Sequence, residues 1–301
     1  MKKLLIILFI STIVFSLNGD TIRLKPYILA GVQSGDSENV VMKIEELLTS
    51  NDFKILGKYS PMQDSERIVI VATHKILTDQ VEKFGGLSAF ASVLRFGILK
   101  NEDGYEISYT NPLYWGNAYY RKKFPDVESG YNKLNSQLIA MFKSLSKVDN
   151  IQYGSKKGLK IKKLRKYHYM VFMPYFDDVV KLAKKTNYNS IIAKIEENLA
   201  NKKGGVEKVY RIDFPQQNVT LFGAALYGKD GESKFIPKID KKDPRHVTFM
   251  PYEFLVMKDR VVMLHGRFRI ALSFPDLKMG TFMKIVSTPG NIKDYFKALT
   301  K

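Results

Sequence analysis

Chemistry in this chain would have to come from few places. It has no cysteine, which removes thiol nucleophiles, zinc–thiolate sites, disulfides and covalent haem attachment together. Its four histidines, His74, His168, His246 and His265, stand in no HxxxH, HExxH or CxxCH setting, so their spacing proposes no metal site. The chain contains no GxSxG nucleophile elbow and no phosphate-binding glycine loop. Gly85-Gly86, within EKFGGLSAF, suits a turn ahead of a strand. The pairs Glu45-Glu46 and Glu196-Glu197 fall on the polar sides of helices, where they are solvated charges rather than an acid–base pair. An enzyme built on this chain would need a site of scattered residues, such as His74, Glu106 and Asn111. No metal and no cofactor is expected.

Two stretches carry chemistry of another kind. SYTNPLYWGNAYYRKKF (108–124) has five aromatic residues between Tyr109 and Tyr120, including the only tryptophan, and then Arg121, Lys122 and Lys123. Tyr and Trp combine a large contact area with a polar tip, and Asn111-Pro112 ends the strand before them. The stretch is expected to be a loop with one of two uses. It binds an apolar or anionic ligand or a partner through Tyr109, Asn111, Tyr114, Trp115, Asn117, Tyr119 and Arg121, or it covers a sheet edge or the seam between two halves. The second stretch, GSKKGLKIKKLRK (154–166), has seven basic residues, Lys156, Lys157, Lys160, Lys162, Lys163, Arg165 and Lys166. A solvated linker accounts for it, and so does a patch for anionic lipid or an acidic partner.

The elements that must position these residues come in two sets. KIEELLTSNDFKILGKYSP (43–61) is answered by KIEENLANKKGGVEKVYRIDFP (194–215). Each lies in a longer series. A strand (Ile22–Val32; Tyr167–Phe176) precedes an amphipathic helix, with Val40, Val41, Ile44, Leu47 and Leu48 on one face of the first and Ile191, Ile192, Ile195 and Leu199 on one face of the second. Asp36 or Ser37, and Asn187 or Asn189, can cap these helices. Apolar strands follow, IVIVATHK and VTLFGAALYG, then FGILK and FLVMK. Alternating strands YEISYTNP (105–112) and FRIALSFP (268–275) come next. The first has Asp103-Gly104 at its hairpin, and the second copy lacks that signal. Closing helices span Ser129–Lys147 and Thr288–Lys301. The order is kept while loops change length, which predicts an α+β chain of two tandem related domains, each an antiparallel sheet with helices on one face.

The first nineteen residues stand apart. MKK is followed by LLIILFISTIVFSL, a largely apolar run of 14, and then Asn18 and Gly19. That order predicts a secretory signal peptide, residues 1–19, too short to span a bilayer comfortably. The domains expected are then 20–150 and 165–301, joined by a basic linker at 151–164. Full-length net charge is +18. In an exported protein, with the periplasm expected ahead of the extracellular space, nucleic acid is excluded as the counterpart, leaving lipid head groups and acidic proteins.

The first copy resembles a bacterial family known as domain of unknown function 302 (DUF302). The resemblance is carried by VMKIEELLTSNDFKILGKYSP, IVIVATHK and GGLSAFASVLRFGILKNEDGYEISYTNP. It covers roughly residues 22–145, and more weakly 165–300, where the DG hairpin is missing and FPD stands for NPL. It implies a TATA-binding-protein-like fold, strand–helix–strands–helix, and brings no activity. The expectation is a non-enzymatic envelope protein that binds a small ligand or a protein partner. The alternatives are an enzyme of scattered polar residues and an accessory protein of an anionic membrane surface.

Overall fold

In a computed structural model that describes residues 22–143 and 150–301, the helix starts fall where the capping residues stand. Asp36 accepts from the Asn39 amide at 2.9 Å and starts α1; Asn187 accepts from the Ser190 amide at 3.0 Å and starts the equivalent helix in the second half. The expected signal segment, and residues 144–147 of the first closing helix, lie outside the described residues.

The first half runs β1 (Arg23–Leu24), β2 (Tyr27–Gln33), α1 (Ser37–Thr49), β3 (Phe53–Tyr59), β4 (Arg67–His74), α2 (Lys75–Phe84), β5 (Leu94–Asn101), β6 (Gly104–Thr110), α3 (Pro112–Tyr120), α4 (Glu128–Lys143). Next come β7 (Ile151–Tyr153), β8 (Leu159–Lys160) and α5 (Ile161–Leu164). The second half runs β9 (Val180–Lys184), α6 (Tyr188–Ala200), β10 (Val206–Phe214), β11 (Val219–Leu226), α7 (Glu232–Ile239), β12 (Tyr252–Met257), β13 (Arg260–Met263), α8 (Gly266–Ser273), α9 (Met279–Met283), α10 (Thr288–Leu299).

Two large antiparallel sheets result, beside the two-stranded pair β1–β8. Their strand orders are β3-β4-β5-β6-β2-β7 and β10-β11-β12-β13-β9. Apart from β7, each strand of one has a counterpart at the same place in the other, so the two halves follow the same path. The fold is α+β.

Strand register shows where the faces go. Opposite residues in antiparallel strands share a face. Ile70 pairs with Phe96, and Phe96 with Tyr109; these pack against Phe142 of α4. The alternate residues Val71, Arg95, Gly97 and Ser108 face the other way, where Gly97 lies against Val247 and Thr248 of the second half. In the second sheet Phe222 and Phe254 pack with α10 through Phe296, while Leu221, Leu255 and Val262 join the core of the first half. Helices therefore cover the outer face of each sheet, and the inner faces meet across a shared core. Edge strands β3 and β10 also lie together. Both carry bulges, and a Cβ on Gly57 would stand 2.0 Å from the Val209 carbonyl. Each edge is thereby shielded from pairing with another chain.

Four expectations are corrected. Tyr167–Phe176 is irregular chain; the strand in its place is β9, and the exposed side chains and Pro174 explain why no ladder forms. Phe268–Pro275 is not a strand but mostly helix α8: its alternation also suits a helix, with Phe268 and Leu272 four apart, and His265 accepts from the Arg267 amide at its start. The strand that answers β6 is β13, turned by Lys258-Asp259 with Lys258 at φ 40°. The aromatic loop at 112–120 is helix α3, capped by Asn111. The stretch expected as a free linker is also partly built in: β7 extends the first sheet, β8 pairs with β1, and Leu164 is buried.

Candidate functional site: an apolar face beside a lysine-rich run

The aromatic segment resolves into anchors between the two halves. Tyr109 stacks on Phe142 and donates to Asn150 Oδ1 at 2.9 Å. Asn111 caps α3 with Oδ1 and donates from Nδ2 to the Lys25 carbonyl at 2.8 Å. Trp115 donates from Nε1 to the Pro26 carbonyl at 2.8 Å. Tyr114 donates to the Leu272 carbonyl at 2.7 Å, Tyr167 to Ala271 at 2.8 Å, and Tyr27 to Ser273 at 3.1 Å. These three carbonyls end α8, where helix carbonyls have no partner of their own. Tyrosines from outside the second half thus satisfy the C-terminus of a helix within it. Asn117 accepts from Arg165 Nε at 2.7 Å, and Tyr119 stacks on Phe176 at 5.1 Å. Tyr109, Asn111, Tyr114, Trp115, Asn117 and Tyr119 are all buried. Of the ligand-contact set only Arg121 reaches the surface, where it pairs with Asp177 and lies over the Tyr175 ring.

The scattered polar residues do not form one site. His74 sits on the helix-covered face of the first sheet, against Phe53, and caps α2 by accepting from the Ile76 amide. Burial lowers its pKa. Glu106 lies on the opposite face, with its pKa pushed up to about 7 by burial and then by Asp243 and Asp240. Asn111 is fully used as a cap. Among the described residues no cluster of His, Asp or Glu is arranged to hold a metal ion.

What the structure leaves open is a different aromatic stretch. Between Tyr167, which is buried, and Phe176, also buried, the chain bows outward. Val171 is 71% exposed and Phe172 is fully exposed, with Phe172 in the left-handed region at φ 65°. A phenylalanine rarely adopts that backbone. Met170 and Tyr175 are exposed beside it, and Met279, Met283 and Val286 are exposed on and after α9. The two segments touch: Tyr169 donates to the Leu277 carbonyl at 3.1 Å. Between them is a narrow recess, in which the centre of a water-sized sphere has about 30 Å³ to move, lined by Tyr169, Met173, Ala271, Leu277, Met279 and Phe282. Its lining is almost wholly apolar.

Charge surrounds this face. Lys166 leads directly into it, Lys278 and Lys284 flank α9, and Arg267 and Asp178 lie beside Phe172 around a shallow surface hollow. The basic run touches it again where the Lys156 amide and Ser155 hydroxyl both donate to Asp276. Lys156, Lys157, Lys160, Lys162, Lys163 and Lys166 are exposed, and Arg165 is half-buried, turned inward to Asn117 and the Phe124 ring.

No family model, curated protein or solved structure matches the chain. The DUF302 resemblance therefore rests on the quoted residues alone, and the function must be argued from the surface. Sequence reasoning located the basic run but read YMVFM (169–173) as part of a strand, because an apolar run looks the same buried or exposed. Its one distinguishing signal is Pro174, which argues against a strand.

Proposed function

We propose that this chain is an exported, non-enzymatic binding protein of the bacterial envelope that attaches to an anionic lipid surface through the 167–179 bow and α9. One observation carries the reading: two segments that touch, the bow and α9 with its following turn, expose Met170, Val171, Phe172, Met279, Met283 and Val286, with an apolar recess between the segments and lysines on their flanks. Scattered exposed apolar side chains need no explanation, but a continuous patch does. Insertion of apolar tips to the acyl boundary, with lysines at head-group level, uses both properties at once. Each lysine near an anionic leaflet contributes about 1 kcal/mol. No helix among the described residues is long and apolar enough to cross a membrane, so attachment by this face is peripheral. The DUF302-like plan, repeated, supplies the scaffold and no chemistry.

Co-sedimentation with vesicles tests this. Binding to phosphatidylglycerol vesicles that weakens steeply at ~0.5 M salt, with little binding to phosphatidylcholine, is the expected result. Equal binding to neither or to both, independent of salt, would remove the proposal.

A further inference from the structure

A second site lies in the shared core and is independent of the lipid-binding face. Arg95 of β5, Glu253 of β12 and Arg269 of α8 meet between the sheets, each no more than 3% exposed. Arg95 Nη2 pairs with Glu253 Oε1, which also accepts from the Tyr210 hydroxyl at 2.5 Å. Arg269 Nη2 stands 3.6 Å from Glu253 Oε2 and donates to the Phe249 and Pro251 carbonyls at 2.9 and 3.1 Å. Gly223 makes room for the arrangement: a Cβ there would meet the Tyr210 ring at 2.0 Å.

The charges do not balance. Two guanidiniums face one carboxylate, and arginine cannot shed its proton. The other buried pair at the seam, Arg67 with Asp240 at 3.0 Å, is already one to one. A net positive charge in a dry core costs several kcal/mol unless it is paired. Donors are also in excess. Arg95 Nε, Arg269 Nη1, and the hydroxyls of Tyr119 and Tyr252 have no hydrogen-bond partner among the described residues, against one unpaired carboxylate oxygen in the cluster, Glu253 Oε2. Burial holds the Tyr119 hydroxyl up at about 12, so it remains a donor. Arg95 and Tyr119 both line a small cavity with Phe90, Thr110, Trp115 and Tyr131, in which the centre of a water-sized sphere has about 10 Å³ to move. That is room for one small species.

We propose that this cavity binds a single monovalent anion of halide size, held by Arg95 Nε and the Tyr119 hydroxyl, with Arg269 supplying the uncompensated charge. A halide is spherical, accepts from every direction and needs no acceptor in return. Water would also have to donate, and the lining offers donors in excess. Sulfate or gluconate is too large for the space. The anion binds the folded chain alone, because the two arginines come from different halves, so it adds stability by mass action.

The test uses the full mature chain in chloride and in gluconate at equal ionic strength, with bromide soaked into crystals. An anomalous bromide peak between Arg95 and Tyr119 is expected, with a melting temperature that rises saturably with chloride, by roughly 2–3 °C at ten times the dissociation constant. Tyr119→Phe keeps the ring and removes one donor; it should cut chloride affinity about tenfold, the equivalent of one hydrogen bond to a charged group. No bromide peak in this cavity, or equal melting in both salts, overturns the proposal, as does a chloride effect unchanged in a folded Tyr119→Phe. If that variant fails to fold, the bromide peak in the unaltered chain decides.

Discussion

Helix α3 and the 167–176 bow are both rich in aromatic residues, both follow the end of a packed segment, and they end up on opposite sides of the protein surface. In α3 two polar tips reach backbone carbonyls, Tyr114 at the end of α8 and Trp115 at Pro26, while the Tyr119 and Tyr120 hydroxyls are buried without a partner among the described residues. The bow is tied at its start, by Tyr167 to Ala271 and Tyr169 to Leu277, and at its end by Phe176 packed on Tyr119 and Phe268. Met170, Val171 and Phe172, which have no polar tip to place, stand in solvent. Aromatic content alone did not decide burial. In α3 ring packing buries every aromatic residue, Tyr119 on Phe176 and Tyr120 on Phe84 and Tyr131, and hydrogen bonds to distant carbonyls satisfy Tyr114 and Trp115 in addition.

The contrast can be broken by substitutions. The largest expected effect is on Trp115→Ala, which deletes a buried ring and one of the two hydrogen bonds to the Pro26 carbonyl. It should cost about 3–5 kcal/mol in urea unfolding. Phe172→Ala should change stability by less than ~0.5 kcal/mol, yet lower vesicle affinity by roughly tenfold, which corresponds to losing most of one Phe transfer. If Phe172→Ala were the more destabilising of the two, the assignment of inside and outside would be wrong.

Gly223→Ala should cost about 1–3 kcal/mol, because its Cβ would enter the Tyr210 ring and push that hydroxyl away from Glu253. The pH dependence sharpens the comparison from another side. Burial raises the Glu232 carboxyl to about 7, although the Leu226 and Met62 amides that it accepts from oppose the rise. Its folded pKa is above its unfolded value, so the folded chain binds the extra proton between pH 4.5 and 7. Stability from this group is present below the unfolded pKa and lost as pH rises through about 7. Urea unfolding at pH 5 and pH 7.5 should differ by on the order of 2 kcal/mol from this group, and Glu232→Gln should flatten that difference. The smallest effect is electrostatic: Lys278→Glu should leave stability unchanged within ~0.5 kcal/mol and weaken vesicle binding about tenfold or more, since it reverses a charge near the leaflet.

Much of the scaffold was legible in the sequence. Asp36 and Asn187 marked helix starts, Asp103-Gly104 marked the β5–β6 hairpin, and the repeated order of elements foreshadowed two sheets of one strand order. The misreadings have physical causes. Phe268, Ile270, Leu272 and Phe274 alternate because α8 is buried on most sides, so apolar residues fall on both strand-like and helix-like periods. Tyr167–Phe176 has the composition of a strand, but β9 occupies the strand position. The candidate face was the least legible part. Tyr167 and Tyr169 on the near side of Phe172 are held by carbonyls more than a hundred residues away, and beyond Pro174 no local pattern marks the residues between as exposed.

Chain chemistry makes one measurement direct. With no native cysteine, a polarity-sensitive dye can be placed at one position at a time, at Phe172→Cys or at Met42→Cys. Met42 is 57% exposed on α1, in the other half of the chain. With phosphatidylglycerol vesicles the dye at 172 should shift to the blue while the dye at 42 and the emission of buried Trp115 stay as they are. A shift at 42 and none at 172 would contradict the account.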